Sequence, residues 1–143
     1  MPRLYFETDH PTPCVDSFGG PTDVLVYFLS LAFSTRYGAQ HEFSRLAMLL
    51  RGEHKVDLRP LLTFADRDVE VEADAAELER VWQDAAPLAA TLERVTAILA
   101  APDERIASLI ADTPDLLPRL RDLQAMAVCA AEHGARVRLS YDL

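Results

Sequence analysis

Hydrophobic and polar residues alternate with period two in three places along this chain, the pattern of strands with one buried face. Near the amino terminus Leu4, Phe6 and Thr8 interleave with Arg3, Tyr5 and Glu7. In the middle Val69, Val71 and Ala73 interleave with Glu70 and Glu72. At the carboxyl end Val137, Leu139, Tyr141 and Leu143 interleave with Arg136, Arg138, Ser140 and Asp142. With the middle and final strands as neighbours, Glu70 and Glu72 would face Arg136 and Arg138, each opposite-charge pair contributing roughly 0.2–1 kcal/mol.

A three-four rhythm governs residues 78 to 99, where Leu78, Val81, Ala85, Leu88, Leu92, Val95 and Leu99 form three heptads of apolar seam. Such a seam predicts a helix that buries one stripe against a partner. Asp74 and Glu77 stand at its start in the spacing of a capping box. Pro87 falls in its middle, which predicts a kink or two helices in line.

Four further helices follow from caps and stops. Thr22 or Asp23 opens one that runs to about Arg36 and stops at Gly38, although its Val-Leu-Val-Tyr-Phe-Leu core also suits a buried strand. A second runs from Gln40 to Arg51, with Phe43, Leu46, Leu49 and Leu50 inward and Gly52 as its stop. A short one begins at Pro102 with Asp103 and Glu104 in its first turn, where carboxylates complement the dipole. The last is capped by Thr113, has Pro114 at its first position and ends at Gly134; its face is Leu116, Leu120, Leu123, Ala127 and Ala130. Residues 9–21 are a loop rich in breakers. Residues 54–66 are ambiguous, since Val56 and Leu58 alternate but Pro60 excludes a central strand.

These elements predict one α+β domain over residues 1–143. A small sheet of amino-terminal, middle and carboxyl-terminal strands carries a predominantly helical layer on one face. The 78–99 seam packs on the final helix. The alternative is a helical oligomerisation module in which two copies pair through the seam as a homodimer.

Half of the 143 residues are hydrophobic and a quarter charged, which suits a packed core. The longest uncharged stretch, Val24 to Thr35, falls short of the ~20 residues that span a bilayer. Glu7, Asp9 and two prolines stand where a secretory signal has an apolar stretch, so a cytoplasmic location is expected. Arginine outnumbers lysine thirteen to one, a usage that suits a GC-rich bacterial genome. Cys14 and Cys129 match neither a zinc knuckle nor a redox motif, and two free thiols are expected.

Charge then narrows function. A net charge of −9 argues against direct nucleic-acid binding, which needs clustered cations. It suits an acidic surface docking on a basic partner. Asp66, Asp68, Glu70, Glu72, Asp74, Glu77 and Glu79 accompany only Arg67 and carry −6 of that charge. The run points to a non-enzymatic interaction protein: an acidic inhibitor, an immunity or antitoxin-type neutraliser, or an adaptor. The competing reading is a solvated sheet edge. A calcium-binding loop does not fit, because no glycine turns the chain there.

Chemistry has one weaker candidate, the loop carrying His10, Cys14 and Asp16 beside Asp9, which could hold a metal or a nucleophile with its base. Zinc would need further ligands, and only His41, His54 and His133 can add imidazole. His41-Glu42 lacks the second histidine of a metalloprotease helix, with Arg45 in that place. The Phe18-Gly19-Gly20-Pro21 turn lacks a phosphate-loop lysine, and Asp23 would repel an anion there. No cofactor is expected. The basic residues Arg36, Arg45, Arg51, Lys55 and Arg59 are expected to neutralise the acidic run within the fold.

Overall fold

The final strand, β4 (Arg136–Asp142), organises the sheet, and the other three strands all pair with it. β1 (Arg3–Thr8) lies antiparallel along one side, pairing Leu4 with Tyr141, Phe6 with Leu139 and Thr8 with Val137. Along the other side lie β2 (Phe64–Asp66), parallel to β4, and the two-residue β3 (Gln83–Asp84), antiparallel to it. The computed structural model describes residues 1–33 and 41–143; the predicted stop at Gly38 and start at Gln40 lie outside the described residues. Among them are six helices packed against this four-stranded mixed sheet, an α+β architecture. No helix among them is long and apolar enough to cross a membrane.

Alternation at the two terminal strands reads directly onto the structure. Leu4, Phe6, Val137 and Leu139 turn inward and are buried, whereas Arg3, Tyr5, Glu7 and Arg138 turn outward. Val24–Phe33 is helical: α1 (Asp23–Phe33) buries Leu25, Val26, Phe28 and Leu29. Thr22 stands at its start, with its carbonyl accepting the Leu25 and Val26 N–H groups, and its Oγ1 accepts the Leu4 N–H at 2.9 Å and so fastens the helix entry to β1. In α2 (Glu42–Gly52) the four predicted positions do face inward, and Phe43 meets Phe28 edge-on at 5.6 Å.

The predicted middle strand over 69–73 is not formed. The strand is Phe64–Asp66, and the chain then bends outward and enters α3 (Glu72–Arg80). Val69 and Val71 are more than half exposed, so their alternation with glutamates belongs to a segment with solvent on both faces. Arg136 and Arg138 consequently find other partners: Glu7 lies opposite Arg138 and Asp84 opposite Arg136. The ambiguous stretch before β2 is a packed loop, with Val56, Leu58 and Leu61 buried and the Gln83 side chain donating to the Pro60 carbonyl.

The 78–99 seam is broken, not kinked. α3 ends at Arg80, Val81 is buried, β3 returns to the sheet, and α4 (Ala85–Ala100) starts afresh. Pro87 therefore sits in the first turn of a new helix, where its missing N–H has no intrahelical partner to lose. Leu88, Leu92, Val95 and Leu99 are buried against α6 (Leu116–Glu132), the intramolecular pairing expected. The Thr96 hydroxyl, which donates to Gln124 Oε1 at 2.7 Å, ties the two helices.

Two helix starts differ from expectation by one or two residues. α5 (Glu104–Ile110) is capped by Asp103, whose carboxylate accepts the Ile106 N–H, and not begun by Pro102. α6 starts after a turn in which the Leu116 N–H meets the Thr113 carbonyl. Its end is as predicted. Gly134 has φ +65°, and the N–H groups of Gly134 and Ala135 close on the Ala131 and Ala130 carbonyls, a Schellman motif.

Candidate interaction site

Residues 66 to 84 leave the sheet at β2 and return to the same side of β4 at β3, so the acidic run is an excursion hung from two short strands. Asp66 begins it by accepting the Asp68 N–H at 2.9 Å, a local turn that directs the chain away from the sheet. Val71 is the extended residue before α3, and it has no side-chain oxygen to cap with. Asp74 supplies what is missing. Its Oδ2 accepts the N–H groups of Glu70 at 3.0 Å and Val71 at 3.1 Å. The helix thus begins two residues before the predicted Asp74 cap, and Asp74 is the carboxylate that reaches back.

No residue of α3 is buried. The helix is held from below: Arg138 donates to the Leu78 carbonyl at 3.5 Å and lies 3.6 Å from Glu79, while Val81 inserts behind its end. Glu77 pairs with Arg80. Among the described residues, the side chains of Asp68, Glu70 and Glu72 make no hydrogen bond or ion pair, and they stand exposed around Val69 and Val71. Of the six residues predicted for the partner surface, three are therefore committed locally (Asp66, Asp74, Glu77) and three are free. None of the described residues of the predicted basic stretch pairs with this run. Arg59 is bound to Asp57, whose carboxyl it holds down at about 2 by hydrogen bonding, and Arg51 is directed at the Ala32 carbonyl. Among the described residues the expected neutralisation within the fold is not seen, and Arg36 lies outside them.

Beneath the excursion lies a charge cluster that sequence reasoning did not assemble. Glu7 receives Arg67 at 3.0 Å and Arg138 at 3.1 Å. The Arg67 guanidinium stacks 3.9 Å over the Tyr5 ring, and that of Arg138 lies 4.6 Å over Trp82. Partial burial pushes the Glu7 carboxyl up, but the Arg138 hydrogen bond and both guanidinium charges outweigh it and hold the group below its ordinary value. Tyr5 donates to Asp142 at 2.7 Å, and this bond raises the phenol. The cluster fixes the platform from which α3 projects. Its missed signal was Arg67, the one cation inside the acidic run.

The second candidate is rearranged. Cys14 and Cys129 are joined in a disulfide, Cα–Cα 5.9 Å, so the expectation of two free thiols is overturned. The fold brings together two residues 115 apart in sequence, at a separation that suits the bond. His10 pairs with neighbouring Asp9 at 2.9 Å, Asp16 is an exposed loop residue, and His41 serves as the α2 cap by accepting the Phe43 N–H. Two other sets among the described residues have ligand-like spacing: Cys14, Cys129 and His133, and Glu53, His54 and Asp103. In the second, Glu53 is engaged by Arg105, and Asp103 spends one oxygen capping α5. In the first, both sulfurs are used by the disulfide.

Compared with known proteins, the chain matches no family model, no curated protein and no solved structure.

Proposed function

We propose that this chain is a non-enzymatic interaction protein of the cytoplasm that docks on a protein with a basic surface through residues 66–79. It acts as an acidic inhibitor, an immunity or antitoxin-type neutraliser, or an adaptor. The observation that carries the reading is the exposure of this excursion: α3 buries none of its own residues, and the segment leading into it displays the carboxylates of Asp68, Glu70 and Glu72 around two exposed valines. A solvated edge needs charge but gains nothing from Val69 and Val71 in water. A docking surface uses both, apolar contact for affinity and carboxylates for orientation and association rate. Seating α3 on the Glu7 cluster gives the surface a fixed shape before any partner arrives, which lowers the entropy cost of binding.

Capture of binding proteins from a bacterial lysate on immobilised chain, at low and at moderate salt, tests the reading. The expected result is one stoichiometric basic protein, retained at low salt and released as salt rises. Retention of nothing basic at either salt would contradict it.

A further inference from the structure

The loop that carries Cys14 is fastened at three points. Its start is held by Asp9, whose N–H donates to the Arg136 carbonyl and whose carboxylate accepts the Arg136 N–H, both at 3.0 Å. Its end is held where Gly19 N–H donates to Asp122 at 3.0 Å, with the Arg119 guanidinium so close to Gly20 that a Cβ there would meet Nη1. Between these anchors, Cys14 is bonded to Cys129 on α6. Cys14 lines two open clefts, one along β1 beside Phe6 and Thr8, the other along α6 beside Asp122 and Ala125. Its neighbour Val15 is 70% exposed. A reagent in solution can reach this sulfur.

One helical turn beyond Cys129, exposed His133 sits over the bond. Its Nδ1 lies 3.8 Å from Cys14 Sγ and 3.9 Å from Cys129 Sγ, and 2.9 Å from the Cys129 carbonyl oxygen. A carbonyl only accepts, so Nδ1 carries the hydrogen in this arrangement. An N–H donor that the Cys129 carbonyl now holds thus stands beside both sulfurs, where a thiolate appears if the bond opens. A disulfide serving only to crosslink gains nothing from such a donor. Exchange does, because its rate rises as the leaving sulfur is stabilised.

We propose that Cys14–Cys129 is a thiol–disulfide exchange site for dithiol reductants, with His133 stabilising the departing Cys129 sulfur. A thiolate of the reductant attacks Cys14 Sγ; a mixed disulfide forms, and the Cys14–Cys129 bond breaks with its electron pair left on Cys129. The Nδ1–H of His133 hydrogen-bonds this thiolate, which then takes a proton from solvent. The reductant's second thiolate attacks its own sulfur in the mixed disulfide, closing the reductant's disulfide and releasing Cys14 as a thiolate that is also protonated. Two electrons and two protons pass to the protein. Residues 10–17 are then released from α6 between anchors that stay in place at Asp9 and Gly19.

The folded chain is treated with dithiothreitol without denaturant, quenched at intervals with an alkylating reagent, and weighed. Both cysteines are expected to become alkylatable while the chain stays folded, and His133→Gln is expected to slow this about five- to tenfold. Glu132→Ala, an exposed neighbour, should leave the rate unchanged. Hydrogen exchange should rise in residues 10–17 on reduction, with Gly19 still protected, and α6 of His133→Gln should exchange as in the parent. A disulfide that resists reduction until denaturant is added would overturn the proposal. So would a His133→Gln rate equal to the parent's, or a loop whose exchange ignores reduction.

Discussion

The α4–α6 pair and the α3 excursion share the three-four seam that begins at Leu78 and runs to Leu99, yet they differ in what they bury. In α4, Leu88, Leu92 and Val95 are completely buried, and polar Thr91 and Thr96 are satisfied by the Asp57 carbonyl and by Gln124. In α3 no residue is buried, and the helix relies on Asp74 and on Arg138 below it. The contrast separates residues that hold the fold from residues that only decorate it. A helix that adds little burial to the fold and concentrates charge leaves its side chains available to a partner.

Breaking the buried side of this comparison should have the largest effect. Leu92→Ala deletes a fully buried side chain between α4 and α6 and is expected to cost about 2–5 kcal/mol, read as a lowered denaturant midpoint with unchanged slope. A loss below about 1 kcal/mol would mean that the seam is not the core. Replacing both cysteines by serine should come next, at about 2–4 kcal/mol, because the bond closes a very long loop of the unfolded chain.

Asp74→Ala sharpens the other side. It should cost about 1 kcal/mol and act locally, raising hydrogen exchange in residues 70–80 while α4 and α6 keep their protection. Equal loosening of α6 would show that the excursion carries the fold after all.

Glu7 ties the excursion to the sheet through Arg67 and Arg138, and pH tests it. Its folded-state value lies below the ordinary 4.5, so its contribution is fully present above that value and is lost as pH falls through the folded one. The melting temperature of Glu7→Gln should therefore trail the parent's near neutral pH and converge with it in acid. Parallel curves over that range would show that the two arginines do not stabilise the carboxylate.

The same contrast explains what was legible in the sequence. The alternation of Val137, Leu139 and Tyr141 placed β4 because a strand with one buried face must repeat every two residues. Gly134 marked the end of α6 because only a residue tolerant of positive φ closes a Schellman turn without strain. The 69–73 alternation misled because the same period arises where both faces are wet, and nothing local distinguishes Val71 from a core valine. The seam read through Val81–Asp84 because Val81 and Ala85 are both buried, although the chain leaves one helix and begins another between them. Pro87 was the usable clue, being far more compatible with a first turn than with an interior. As for the site, the acidic run was visible at once. Which carboxylates are free was not, since Asp74 and Glu77 are consumed by hydrogen bonds that only the helix start and Arg80 define. The pairing of Cys14 with Cys129 has no local signal, although Cys129 and His133 stand at the i, i+4 spacing that shares a helix face.

The smallest expected effect on stability belongs to the change expected to matter most for binding. Asp68→Lys, Glu70→Lys and Glu72→Lys together touch only exposed side chains without partners and should alter stability by no more than about 0.5 kcal/mol. The most direct measurement is capture by this triple variant beside the parent, at low salt, with melting of both recorded. The account predicts unchanged melting and loss of the basic partner held by the parent. Retention of that partner by the folded triple variant would contradict docking through residues 66–79.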